Sequence, residues 1–467
     1  MRAVRVLIPA LAVVSLGTTP AAAQQTSGFA QPNRAPPANV LAMKSSFAPV
    51  VARAAPAVVN ISARRLVRQQ TDPFWQLFGL GAPRARVTNS LGSGVIVRDD
   101  GVIVTNNHVV ENGQEITVSL ADRREFPARI LLADPRTDLA VLKIDVPPGE
   151  RLAVLPIDDS EDTQVGDLVL AIGNPFGVGQ TVTNGIVSAL NRTPDDEGAA
   201  AYIQTDAAIN PGNSGGALVD MDGELIGVNS FILSRSGSSS GVGFAVPAAV
   251  VRRVVETAVG GGRAVVRPWL GARTQSVTSE IARSLGLSLP QGALVADVWP
   301  GGPADRAGLR QGDVVVSAEG RPVVDAASLN YLFATKRPGD TVRLVVRRDG
   351  GREQTLTVRA EAPSATPARD QRTIQGQNPL SGATVINLSP ATADELGLDP
   401  FLGPGVLVSG VGRGFAVGAG FRPGDIIRSV NGRRIESVRD LVSALETPSR
   451  GWQITLERGG QTITANF

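Results

Sequence analysis

Apolar residues in this chain fall in short β-branched runs, broken every few positions by turn residues. From Val87 to about Pro247 the runs SGVIV, GVIVTN, EITVSL, ARILLA, LAVLKI, LVLAIG, QTVTNGIVSAL and ELIGVNSF each read as a strand. Asp99-Asp100-Gly101 stands between two of them with the composition of a hairpin turn. About a dozen such strands, without long amphipathic helices alternating between them, predict a pair of β-barrels or a large sandwich. Upstream, an amphipathic run from Ser45 to Ala54 reads as helical and stops before Pro56, because the residue before proline avoids the helical region. AVVNIS, residues 57–62, follows as a strand. A helix over Ala248 to Val259 closes the β region and ends at Gly260-Gly261-Gly262.

The C-terminal part repeats itself. Residues 307–315, AGLRQGDVV, match residues 419–427, AGFRPGDII. Each copy continues with a strand and a polar turn, Glu319-Gly320-Arg321 or Asn431-Gly432-Arg433. A helix follows, Ala326 to Thr335 or Ser437 to Glu446, and then two closing strands. Two copies are too few for a solenoid, so duplicated small domains are expected, joined by a linker rich in Pro, Ala, Arg and Gln.

Composition narrows this picture. The 467 residues exceed one ordinary core, and 52 Gly and 32 Pro with 4% aromatics suit several small β-rich domains. The 45 basic against 43 acidic side chains make a mixed surface with no call for nucleic acid. The N-terminus has Arg2 and Arg5, an apolar stretch from Val6 to Leu16 and Ala21-Ala22-Ala23, the three parts of a cleaved secretory signal. The apolar stretch is short of a bilayer span of ~20 residues, and Pro9 interrupts it, so no integral membrane span is expected. With no cysteine and one histidine, thiol catalysis and a His/Cys zinc cluster are both excluded, and no metal or other cofactor is expected. An exported chain of this kind must be stable without disulfides.

The candidate chemistry centres on Asn210-Pro211-Gly212-Asn213-Ser214-Gly215-Gly216. Glycines around a serine permit a bend that turns the N–H groups of Gly212 and Ser214 around one point, an oxyanion hole on the Gly212-Asn213-Ser214 segment. A serine needs a base, and the single histidine, His108, sits where a β run ends and a helical turn can begin. The base in turn needs a carboxylate to fix its tautomer. Asp134, before Pro135, reads as solvated or capping; Asp138, at the mouth of an apolar strand, is the choice.

These residues, in the order His, Asp, Ser within TNNHVV, TDLAVLK and GNSGG, resemble the chymotrypsin fold and, within it, the HtrA (Do/DegP/DegQ) family. Further similar segments are LGSGV at 91–95, AIGNPFG at 171–177, GIVSAL at 185–190, QTDAAI at 204–209 and GFAVP at 243–247. The duplicated module resembles PDZ domains. The resemblance implies a mainly β architecture: a chymotrypsin-like double β-barrel protease domain, residues 44–262, followed by two small α/β PDZ domains, residues 267–361 and 378–467. Residues 1–23 would be the signal peptide, 24–43 a flexible tether and 362–377 the linker.

The resemblance also implies roles. Residue 213 is Asn where digestive relatives of this fold carry the Asp that pairs with a new N-terminus, so activation would come from loops, with Arg192 as a regulatory residue. Ala208 would form the floor of the primary specificity pocket and the stretch from Ser230 to Gly241 its wall. With Ile209, Asn229, Ser230 and Ile232, this predicts a small aliphatic residue before the scissile bond. Arg267, Trp269, Leu270, Gly271 and Ala272 in the first repeat, and Leu380, Ser381, Gly382 and Ala383 in the second, would hold a peptide's C-terminal carboxylate. The aromatic segment Thr71 to Gly79 would reach a neighbouring active site in a trimer-based assembly. Partners would be unfolded proteins and C-terminal peptides, in the periplasm. The rival reading is a peptide-binding chaperone whose protease fold is idle.

Overall fold

The computed structural model describes residues 46–68, 85–158, 162–175, 179–192, 202–210, 212–233, 240–348, 351–447 and 451–467. The signal and tether expectations, the aromatic segment at 71–79 and half of the specificity-wall stretch, residues 234–239, lie outside them.

After helix α1 (Ala48–Ala54), six strands close on themselves: β1 (Val58–Arg68), β2 (Ala85–Arg98), β3 (Val102–Asn106), β4 (Glu115–Ser119), β5 (Glu125–Asp134) and β6 (Leu139–Ile144). Their order around the barrel is β1-β2-β3-β6-β5-β4. A second set, β7 (Leu168–Gly173), β8 (Thr181–Arg192), β9 (Tyr202–Thr205), β10 (Ala217–Val219), β11 (Leu225–Ile232) and β12 (Gly243–Pro247), closes in the same cyclic manner. Two closed six-stranded barrels thus replace the open choice between barrels and a sandwich. The Asp99–Gly101 turn joins β2 to β3 as expected. Strand β3 is buried along its whole length, which matches its uninterrupted apolar sequence. The single helical turn α2 (Asn107–Val110) leaves its end, and α3 (Ala248–Val259) closes the double barrel over the predicted residues.

The first C-terminal module holds β13 (Ala272–Ser276), α4 (Ser279–Ser284), β14 (Ala293–Val298), α5 (Pro303–Arg306), β15 (Val314–Ala318), β16 (Arg321–Pro322), α6 (Ala326–Thr335), β17 (Thr341–Arg348) and β18 (Arg352–Arg359). The second repeats it with β20 (Ala383–Leu388), α7 (Pro390–Glu395), β21 (Gly405–Val411), α8 (Phe415–Gly418), β22 (Ile426–Val430), β23 (Arg433–Arg434), α9 (Val438–Glu446), β24 (Gln453–Arg458) and β25 (Gln461–Asn466). Each has its own apolar core. One difference separates them. Strand β19 (Arg372–Thr373), inside the expected linker 362–377, pairs with β20 and places Ile374 in the second module's core. Three β-compatible residues are too few to stand out against a Pro- and Gln-rich background.

Candidate active site

The short helix α2 starts with free backbone N–H groups, and Asp138 takes two of them. Its main-chain oxygen accepts from Asn107 N at 3.0 Å, and its Oδ1 accepts from His108 N at 3.0 Å. The Asn106 side-chain amide donates to the same main-chain oxygen at 2.9 Å. To do this Asp138 adopts a left-handed backbone, φ +54°, unusual for a residue with a side chain. The expected junction of strand and helical turn is therefore present, and the aspartate holds it together.

The same carboxylate lies 2.9 and 2.8 Å from His108 Nδ1. Ser230 Oγ donates to its Oδ2 at 2.7 Å. A carboxylate accepts only, so Nδ1 carries the proton and Nε2 presents its lone pair. The aspartate side chain is 21% exposed and the imidazole 47% exposed, so the pair is sheltered on the Asp side and open on the other.

The serine loop is fixed between the barrels. Ser93 of β2, fully buried, donates its backbone N–H to Ser214 O at 2.8 Å and its hydroxyl to Gly212 O at 2.6 Å. Its hydroxyl also accepts from Asn174 N at 2.8 Å. Gly215 must be glycine: its φ is +82°, and a Cβ would stand 2.1 Å from Ser93 O and 2.4 Å from Thr105 Oγ1. Gly215 N and Gly216 O both bond to the Asn229 backbone, at 2.8 and 2.9 Å. The loop therefore lies against the end of β3, beside His108. Among the described residues no hydrogen bond joins Ser214 Oγ to the imidazole, as is common before substrate arrives.

The comparisons identify the domains that carry this geometry. The trypsin-like peptidase domain family matches residues 92–228, and the PDZ domain family matches 268–359 and 382–467. A probable periplasmic serine endoprotease DegP-like from Ectopseudomonas mendocina (strain ymp) is 40% identical over 449 residues, covering 90% of this chain and 93% of that protein. One of the same description from Halomonas elongata is 40% identical over 442 residues, with 89% and 91% covered. Among solved structures, HtrA-type protease AlgW with decapeptide superposes with TM-score 0.51 at 41% identity, over 68% of this chain and 99% of that one. The chain belongs to the HtrA (DegP-like) family. It is a serine endoprotease with two PDZ domains.

Within this HtrA-type protease several expected site residues have partners that the sequence did not show. Asp134 is not solvated: it is 7% exposed, accepts from Thr137 Oγ1 at 2.6 Å and is paired with Arg267. Arg267 thereby ties the start of the first PDZ domain to the turn that carries Asp138. Ser230 is 1% exposed, and its hydroxyl donates to Asp138. Asn229 is fully buried, its amide donating to Ala217 O at 2.9 Å. Ile209 is buried, Ala208 and Ile232 are half-buried, and the Ala208 carbonyl accepts from Thr183 Oγ1 at 2.8 Å. Asn213 is 2% exposed and packs against Gly173, where a Cβ would meet Asn213 Oδ1 at 2.3 Å. Arg192 ends β8. Sequence reasoning missed Ser93 in β2 and Asn174 just past the end of β7, polar residues that bridge the barrels. It also missed Tyr202, whose phenol is pushed up by burial and, further, by the nearby Asp138 carboxylate.

The two PDZ carboxylate loops differ. In the second every backbone N–H is taken: Leu380 by Asn378 Oδ1, Ser381 by Asn378 O, Gly382 by Ile374 O and Ala383 by Leu380 O. Strand β19 also covers the β20 edge to which a peptide would add. In the first, β13 is an edge strand beside α6, and among the described residues the N–H groups of Leu270 and Gly271 have no partner. Trp269 N donates to Glu361 O at 3.0 Å, and its ring packs with Trp299 and with Phe401 of the second PDZ domain.

Proposed function

We propose that this protein is exported to the periplasm, where it cleaves unfolded envelope proteins, with Ser214 as nucleophile, His108 as general base and Asp138 as its orienting acid. Ser214 Oγ attacks the scissile carbonyl while His108 Nε2 takes its proton. Asp138 stabilises the imidazolium that forms, and Ser230 holds Asp138. The N–H groups of Gly212 and Ser214 receive the oxyanion. The imidazolium then protonates the leaving amine, and water, activated by the same base, releases the acyl group from Ser214. The observation that carries this reading is the Asp138 carboxylate, shared by His108 Nδ1 and Ser230 and leaving Nε2 open next to the serine loop.

The residue before the scissile bond is small and aliphatic, because Ala208 supplies no acid to neutralise Lys or Arg. Cleavage of a peptide library after Lys or Arg would contradict this. The first PDZ domain reads C-terminal or extended peptides at Leu270, Gly271 and Ala272; the free N–H groups there support it, and the filled loop at Leu380–Ala383 assigns the second a structural task. Gly271→Ala should abolish binding of a C-terminal peptide while Gly382→Ala leaves it intact, read by fluorescence anisotropy. The working form is a trimer or a multiple of one. Casein degradation by the wild type, its loss in Ser214→Ala and sizing chromatography of both test the proposal together; a monomer that degrades casein would refute the assembly alone.

A further inference from the structure

The turn from Asp134 to Asp138 presents Arg136 at its outer side, two residues before the orienting acid. Arg136 reaches the second PDZ domain: one guanidinium nitrogen donates to Asp394 Oδ1 at 2.6 Å and to the Asp394 main-chain oxygen at 2.9 Å. Both side chains are largely sheltered, 30% and 24% exposed, so the pair is screened less than an open surface pair. Asp394 lies on α7, and the loop that follows α7 makes a second attachment. Asp399 pairs with Arg273 of the first PDZ domain, whose guanidinium also stands 5.0 Å over the Phe401 ring. Phe401 in turn packs 5.8 Å from Trp269 and 5.7 Å from Trp299. Residues 394–401 thus touch the catalytic turn at one end and the loop of the first PDZ domain at the other.

We propose that Asp394 of the second PDZ domain is a positioning residue for catalysis: through Arg136 it holds the turn that carries Asp138, and Phe401 anchors the segment that delivers it. The proposal rests on the triad reading and extends it to a domain whose own peptide groove is closed. Asp138 needs outside support because its left-handed backbone and its three-way hydrogen bonding leave it one productive setting. A turn free to shift by a fraction of an ångström would misdirect His108 while leaving substrate binding alone.

The test measures kcat and KM separately on a peptide substrate, in the full chain. Arg136→Ala and Asp394→Ala are each expected to lower kcat about tenfold with KM within about twofold. Asp394→Glu should keep most activity, and the reversed pair, Arg136→Asp with Asp394→Arg, should recover part of what the singles lose. Phe401→Ala, which removes the ring that packs on Trp269 and Trp299 of the first PDZ domain, should lower kcat in the same direction. Asp394→Asn, which changes no volume, gives the answer if an alanine variant fails to fold. Wild-type kcat in Asp394→Asn, or a reversed pair no better than the singles, overturns the proposal. The triad reading would survive either result as long as the wild type cleaves and Ser214→Ala does not.

Discussion

Ser230 and Gly215 show how single residues set the chemistry. The Ser230 hydroxyl is a sheltered donor to the acid of the triad, so Ser230→Ala should lower kcat about tenfold, the equivalent of ~1.4 kcal/mol in the barrier, with KM little changed. Gly215→Ala forces a methyl into Ser93 O and Thr105 Oγ1, and the serine must move; a fall of about 100-fold in kcat is expected in steady-state assays. The proposed triad positions stood out because a lone histidine and a glycine-flanked serine are rare signals in one chain. The partners of Asp134, Ser230 and Arg267 stayed hidden for a common reason. Each is a polar residue whose partner lies far away in sequence, and no local pattern records a contact such as Asp134 with Arg267 or Ser230 with Asp138. Tyr202 and Ser93 escaped on the same ground.

At the level of elements, strand runs and helix ends were readable because burial follows periodicity; α3 ends at Gly260, and α6 begins at the Asp325 capping box. The duplication reaches deeper than the matching motif. Asp313, 1% exposed, is gripped by Arg348 at 2.6 and 2.7 Å, and Asp425, fully buried, by Arg458 at 2.6 and 2.6 Å. Each aspartate also accepts from a backbone N–H, that of Arg310 or Arg422. Asp425→Asn leaves Arg458 without its counter-charge beside a buried amide, and should destabilise the second PDZ domain by about 2–3 kcal/mol in urea unfolding, less than the roughly 3–5 kcal/mol for breaking a fully buried pair because Arg458 is part-exposed. What the repeat concealed is the divergence of its carboxylate loops. Leu-Gly-Ala and Leu-Ser-Gly-Ala look alike as strings, yet β19 closes one of them.

Across the whole molecule, domain order was legible and domain contact was not. Arg136 with Asp394, Arg267 with Asp134 and Phe401 with Trp269 are pairs far apart in sequence, and only the folded arrangement brings them together. They turn three separate cores into a chain in which both PDZ domains touch the turn bearing the acid of the triad. The absence of cysteine means that an exported form depends on such packing and ion pairs alone. Everything said of this machinery depends on one reactive side chain. Labelling by a fluorophosphonate, located by peptide mass, should fall on Ser214 in the wild type and vanish in both Ser214→Ala and His108→Ala. Persistent failure of the wild type to label, with peptide activators present, or labelling that survives Ser214→Ala, would contradict the account.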